Sequence, residues 1–246
     1  MGSNDAVVAL VTGGSRGIGA AAALRLAQDG ADVALTYVHG AEAAAGVVDR
    51  IEALGRRALA VRADAGDPAQ AVAAVEETVR ALGRIDVLVN NAGIGVLGPL
   101  DALTPADVDR VLAVNVRGVF LTTRAAAARM GSGGRIVTIG SCMTARVPGP
   151  GGTLYAMSKA ALTGLNKALA RELGERGITA NLVNPGPVDT DMNPADGPHA
   201  AAQSALTALG RFGTAQEVAG LVSFLAGPDA AYVTGAEFAV DGGHAA

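Results

Sequence analysis

An unbroken apolar run, Val7-Val8-Ala9-Leu10-Val11, passes directly into Thr12-Gly13-Gly14-Ser15-Arg16-Gly17-Ile18-Gly19, and an alanine-rich segment follows at once. A run that is apolar on both faces suits a strand covered by helices on both sides. Strand, glycines and then helix give a turn whose backbone can come close to a ligand. They also present a helix N-terminus whose free N–H groups and dipole favour a phosphate. That order is what the pyrophosphate of a dinucleotide needs. The chain holds 34 Gly in 246 residues, about 14% against a usual ~7% and without a triplet period. Three glycines at one spacing therefore arise by chance on the order of once per chain. The position after the first strand carries the inference.

Short β-branched runs continue to alternate with longer alanine-rich segments, the pattern of βα units. Strands are expected over 6–12, 32–38, 57–62, 85–90, 135–139, 179–183 and 238–240. Helices are expected over 17–29, 41–54, 68–82, 105–129, 154–176 and 215–225. The implied class is α/β, a doubly wound parallel sheet in a single three-layer domain spanning 1–246. The least periodic stretch, 184–197, carries three Pro, two Gly, three Asp and two Asn and suggests a lid, taken as 187–212. A net charge of −4 and only seven Phe and Tyr, with no Trp, argue against nucleic acid. Cys142 is the only cysteine, residues 1–5 lack the features of a signal peptide, and charges or glycines interrupt each apolar stretch before ~18 residues. A cytoplasmic location without a membrane span is expected. No His/Cys cluster has metal-ligand spacing.

Only two Lys and three Tyr occur, yet Tyr155 and Lys159 stand four apart, which random placement would give roughly 2% of the time. On a helix they share a face, so the ammonium can sit beside the phenol and favour its ionised form. That suits general acid–base chemistry. A rival reading is Gly13-x-Ser15-x-Gly17 as a hydrolase nucleophile elbow, with His199 or His244 as base. It lacks the earlier strands that such a turn requires.

Together, Thr12-Gly13-x-x-x-Gly17-Ile18-Gly19, Asn90-Asn91-Ala92-Gly93, Asn115-Val116-Arg117-Gly118, Ser141, Tyr155-x-x-x-Lys159, Asn184-Pro185-Gly186 and the closing Val240-Asp241-Gly242-Gly243 resemble the short-chain dehydrogenase/reductase family. The resemblance implies a Rossmann fold that binds NAD(H) or NADP(H) and moves hydride between nicotinamide and a carbonyl or alcohol. It implies Tyr155 as proton donor and Lys159 as the group that lowers the phenol's pKa and holds the nicotinamide ribose. Ser141 would be the donor to the substrate oxygen, and Asn115 the holder of a water. It places Gly13, Ser15, Arg16, Gly17, Ile18 and Gly19 on the pyrophosphate, with Tyr37, Asp64, Ala65 and Val114 toward the adenosine. Asn91, Ala92 and Gly93 go beneath the ribose, and Pro185, Gly186, Val188 and Thr190 beside the nicotinamide amide. Relatives usually set the serine thirteen residues before the tyrosine, which here would be Cys142. An extra residue in loop 146–153 accounts for Ser141 at fourteen.

At the end of the second strand, where an acid would bind the adenosine 2′-hydroxyl and repel a 2′-phosphate, stand Thr36, Tyr37, Val38 and His39. With Arg16 as a cation in the glycine loop, NADP(H) is the expected cofactor, and carbonyl reduction the expected direction. The resemblance extends to 3-oxoacyl-[acyl-carrier-protein] reductases and, through the lid from Asp189 to Pro198, to members that bind a cyclic dinucleotide. The partners it implies are a small carbonyl or alcohol substrate, an acyl carrier protein as its candidate carrier, and further copies of the chain in a homotetramer.

Overall fold

The apolar runs find one another as parallel neighbours. A computed structural model describes residues 6–246, so the reading of residues 1–5 lies outside it. In chain order the elements are β1 (Val8–Val11), α1 (Gly17–Gln28), β2 (Asp32–Tyr37), α2 (Ala41–Glu52), β3 (Ala58–Arg62), α3 (Pro68–Leu82) and β4 (Val87–Asn90). They continue with α4 (Pro105–Leu112), α5 (Val119–Arg129), β5 (Arg135–Ile139), α6 (Thr153–Leu173), β6 (Thr179–Pro185) and β7 (Val188–Asp189). Last come α7 (Ala200–Ala205), β8 (Gly213–Thr214), α8 (Ala215–Ala226) and β9 (Glu237–Val240).

Seven strands form one parallel sheet in the order β3-β2-β1-β4-β5-β6-β9. In β1, Ala9 and Val11 join the core under α1, α2 and α8, while Val8 and Leu10 join the core under α3 and α5. This two-sided burial explains why the strand reads as continuously apolar. The strand order reverses between β1 and β4, which opens a crevice at their C-terminal ends, the place where open α/β sheets bind ligands.

Three departures from the sequence expectation bear on the site. The expected helix 105–129 is interrupted by a π-helical segment, Ala113–Gly118. Such wide turns insert a residue into the helix and cluster at functional sites. Gly118 lies where this segment presses on the β3–α3 turn: a Cβ there would sit 2.1 Å from the Ala65 carbonyl oxygen. β6 continues two residues beyond the expected end, pairing Asn184 and Pro185 with Ala239 and Val240 of β9. Within the irregular lid, α7 and the small β7–β8 pair supply local order. The helical path Pro105–Arg129 is long and apolar enough to cross a membrane by length and composition, unlike what the interrupted hydropathy suggested. More than half of it is buried inside the protein, as in a core helix.

Gly118→Ala should lower the free energy of unfolding by about 1–3 kcal/mol, because backbone atoms must move to admit the methyl. Gly46→Ala, on the exposed face of α2 with open space around it, should raise it by about 0.5–1 kcal/mol. Urea denaturation of the two variants checks the opposite signs.

Candidate active site

Side chains at the strand ends hold the crevice open in one shape. Thr12 Oγ1 accepts hydrogen bonds from the amides of Asn91 and Ala92, both at 3.0 Å, and Asn91 Nδ2 donates to the carbonyls of Thr12 (2.9 Å) and Gly13 (3.0 Å). From β2, Thr36 Oγ1 accepts from Gly13 N at 3.0 Å and the Thr36 carbonyl from Gly14 N at 2.9 Å. Gly13 and Gly17 take positive φ values of 63° and 53°. A Cβ at Gly19 would lie 2.2 Å from the Gly13 oxygen, so only glycine fits. No side chain caps the first turn of α1, which holds no acidic residue. Its N–H groups and positive dipole end face the cradle beside Ser15 and Ile18.

On the adenosine side, Tyr37 ends β2 half-buried and stands in register with Arg62 of β3. The Asp64 carboxylate is held by Gly66 N at 2.8 Å and Arg110 Nη2 at 3.0 Å. Ala65 packs beneath Gly118, and buried Val114 lies against Gly66. Arg16 is 69% exposed at its side chain and meets only the equally exposed Asp191, at 3.8 Å.

The polar centre forms where α6 crosses β5. Tyr155 and Lys159 lie one turn apart, with Nζ 5.9 Å from the ring centroid. The buried Nζ donates to the Ile139 carbonyl at 2.9 Å. The π-helical segment turns Asn115 inward, fully buried. There its Oδ1 accepts from Ile94 N (2.9 Å), and its Nδ2 donates to Ile94 O (2.9 Å) and Ser158 Oγ (3.0 Å). Ser158 in turn donates to the Tyr155 carbonyl at 2.8 Å. Lys159 and Asn115 meet over Gly93: a Cβ there would stand 3.3 Å from Nζ and 3.4 Å from Oδ1. Ser141 begins the short turn Cys142–Thr144, with its N–H on Asn184 Oδ1 at 3.1 Å and its Oγ accepting from Met143 N at 3.1 Å.

Burial pushes the Tyr155 phenol above its usual pKa, partly opposed by hydrogen bonding from the Ser141 side chain. Burial lowers Lys159 to about 8. The expectation that Lys159 lowers the phenol is not met in this geometry. The ammonium points to the Ile139 carbonyl, and its own loss of hydration weakens its charged form. The Cys142 thiol is buried and pushed up to about 11, chiefly by burial and further by Asp241, which makes it an inert apolar group.

The lid closes on the same crevice. Gly186 N donates to the Val240 carbonyl at 3.0 Å, after Pro185 at the end of β6. A Cβ on Gly186 would come within 2.6 Å of Asp241 Cα. Val188 is buried, and Thr190 rests its methyl against Gly17. Asp189 caps Ala195 N at 2.9 Å while Asp191 faces Arg16, so the two carboxylates do not converge. Among the described residues no group of three or more His, Cys, Asp or Glu could hold a metal.

Sequence reasoning quotes Asn184 within a motif and Thr36 at a strand end but gives neither of them, nor Arg62, a role in the site. Thr36 and Asn184 act through backbone partners on other strands, which no local spacing reveals. Arg62 was legible as a basic residue at a strand end beside the position that discriminates the cofactor.

Residues 13–245 match the family described as enoyl-(acyl carrier protein) reductase. A short-chain dehydrogenase from Burkholderia cenocepacia, solved in complex with NADP, is 56% identical over 97% of each chain, with a TM-score of 0.96. A blue fluorescent protein from a metagenomic library, solved with NADPH, is 55% identical over 98% of each chain, with a TM-score of 0.96. The cyclic-di-GMP-binding biofilm dispersal mediator protein of Escherichia coli is 44% identical over 98% of each chain. With the fold, the glycine cradle and the Tyr-Lys helix in place, the chain belongs to the short-chain dehydrogenase/reductase family.

Proposed function

We propose that this protein is an NADPH-dependent reductase that converts a ketone or 3-oxoacyl carbonyl to an alcohol. The observation that carries the reading is the convergence of Tyr155, Lys159, Asn115 and Ser141 at the C-terminal crevice beside an uncapped, glycine-lined helix N-terminus. The cradle fits a dinucleotide, since the first turn of α1 has neither a capping side chain nor an acidic residue and Gly13 and Gly17 turn the backbone tightly before it. Gly13, Ser15, Gly17, Ile18 and Gly19 would hold the pyrophosphate, and Asn91, Ala92, Gly93 and Lys159 the nicotinamide ribose. Asp64, Ala65 and Val114 would border the adenine, and Pro185, Gly186, Val188 and Thr190 the carboxamide. Arg16, with Tyr37 where an acid would exclude it and Arg62 alongside, would take the 2′-phosphate. When bound, the dihydronicotinamide supplies a hydride to the carbonyl carbon.

In this reading Ser141 Oγ donates a hydrogen bond to the carbonyl oxygen as charge develops on it. Tyr155, kept protonated by burial, is suited to give that oxygen its phenolic proton. Lys159, with a pKa of about 8, exchanges protons readily near neutrality. Asn115 holds the strand-end turn at Ile94 against α6 and is placed to hold a water between Lys159 and solvent. The family assignment leaves no part for Ser15 as a hydrolase nucleophile.

The Escherichia coli relative's cyclic-di-GMP binding supports a second reading, a nucleotide-binding regulator. The complete Asn-Ser-Tyr-Lys set favours the reductase, because a binding module has no use for a protonated phenol beside a titrating lysine. The proposal extends to a homotetramer in a reducing cytoplasm. An apolar hollow lined by Leu112, Val116, Phe120 and Leu165 offers a self-packing surface, and one buried thiol needs no oxidant.

Tyr155→Phe should retain less than a tenth of wild-type NADPH oxidation with a ketone while binding NADPH nearly unchanged. Ser141→Ala should lose about 10²-fold and Cys142→Ala little. A ranking with Cys142 as the essential residue would move the donor by one position. Arg16→Ala should narrow a wild-type preference for NADPH over NADH, read as the ratio of kcat/KM values; equal use of both by the wild type refutes the 2′-phosphate assignment.

Lys159 adds a pH signature. Its folded-state value of about 8 lies below the ordinary 10.5, so between these values the unfolded chain keeps a proton that the folded chain has released. The stability tied to this group therefore rises with pH across that window. Compared with Lys159→Met, the wild type should gain relative stability on going from about pH 7 to about pH 10 in urea titrations of cofactor-free protein. A pH-independent difference contradicts the lowered value.

A further inference from the structure

Resting on the reductase reading of Tyr155, we propose that the substrate is a neutral ketone with an apolar body, not one carried on a carboxylate, phosphate or nucleotide. Three segments border the crevice that holds the phenol. Loop 94–102 passes over it, since a Cβ on Gly95 would lie 3.8 Å from the Tyr155 ring. Loop 142–152 is tied to that loop by Gly98 N donating to the Gly151 carbonyl at 2.9 Å. The lid reaches the crevice at Thr190 over Gly17 and is fastened further on by Leu209 N donating to the Gly242 carbonyl at 3.0 Å.

These same segments expose large apolar side chains: Leu97 67%, Leu100 71%, Val147 48%, Met192 64% and Leu209 66%. Singly, such residues need no explanation. Five on three segments at the rim of one crevice form the kind of surface that takes an apolar ligand.

The charges on the segments point the same way. Within these segments Asp101, Asp189, Asp191 and Asp196 outnumber the cations Arg146 and Arg211, and Asp191 meets Arg16 of the glycine loop at 3.8 Å. Arg211 is committed to Glu217 through two hydrogen bonds of 3.0 and 2.7 Å, and Arg146 Nη1 to the His244 carbonyl at 2.9 Å. An anion brought to this rim loses hydration beside a net acidic surface, where among the described residues of these segments the exposed Arg146 is the one arginine not paired with a carboxylate.

The test compares ethyl 4-oxononanoate with 4-oxononanoate, one carbon skeleton that is neutral in the first and anionic in the second, by kcat/KM with NADPH at neutral pH. The ester should be favoured at least about tenfold, and a series from 2-butanone to 2-octanone should gain about two- to threefold per methylene. Val147→Lys and Leu97→Lys should each narrow the ester-to-acid ratio severalfold. Quenching of bound NADPH fluorescence by the two product alcohols gives a readout free of turnover and should show the same order. A carboxylate used as well as the ester, or a ratio unmoved by both lysine variants, overturns the inference and leaves the reductase reading standing. A protein that binds NADPH and reduces neither compound overturns both.

Discussion

The crevice depends on one polar tie, the hydroxyl of Thr12 holding the amides of Asn91 and Ala92 while Asn91 returns two hydrogen bonds to the β1 end. At the reversal of strand order, β1 and β4 remain hydrogen-bonded neighbours while the segments leaving their C-terminal ends go to opposite faces of the sheet. Without side-chain bonds there, the backbone groups beyond the last strand pairing would need water or a ligand as partners. The tie fixes the floor of the cradle at Gly13 and, two residues beyond Asn91, places Gly93 under Lys159 and Asn115. A single hydroxyl thus sets the relation between the phosphate end of the site and its proton-transferring end.

Around that floor, burial is the dominant electrostatic influence. It raises the phenol and lowers the lysine, which brings both toward their neutral forms. A buried amine without a carboxylate partner is costly to charge, and Lys159 rests instead on the Ile139 carbonyl dipole. Asn115 belongs to the same arrangement, since its side chain satisfies both the N–H and the C=O of Ile94 and so stiffens the turn that roofs the lysine. The wide π-helical turn brings its amide inward at this depth.

The fold and the positions of the glycine cradle and the Tyr-Lys pair were legible because local patterns encode them. Two-sided apolar runs mark buried strands, and a separation of four marks one helix face. Other features depend on contacts distant in sequence. The break of helix 105–129 into α4, a π-helical segment and α5 leaves no proline or glycine signal at its start, and the close approach of Gly118 to Ala65, more than fifty residues away, marks its end. The two extra residues of β6 follow from pairing with β9, and proline at position 185 reads locally as a terminator. The contact of the Lys159 ammonium with Ile139 was not legible for a similar reason. Spacing on α6 shows that the amine can reach the phenol, but the competing carbonyl belongs to β5.

The division between floor and rim is compatible with relatives whose descriptions run from a dehydrogenase to a cyclic-di-GMP-binding protein. The floor is built from backbone-satisfying side chains such as Thr12, Asn91 and Asn115. Replacing any of them leaves buried polar groups without partners, at a cost of about 1–3 kcal/mol each. The rim residues Leu97, Val147, Met192 and Leu209 are held mainly by their own backbone. Their side chains can change with little effect on folding, since exposed substitutions usually fall within about 0.5 kcal/mol. Substrate choice can therefore drift while the chemistry beneath it stays fixed, and the charge and apolar character of the rim of this chain are a better guide to its substrate than the family name.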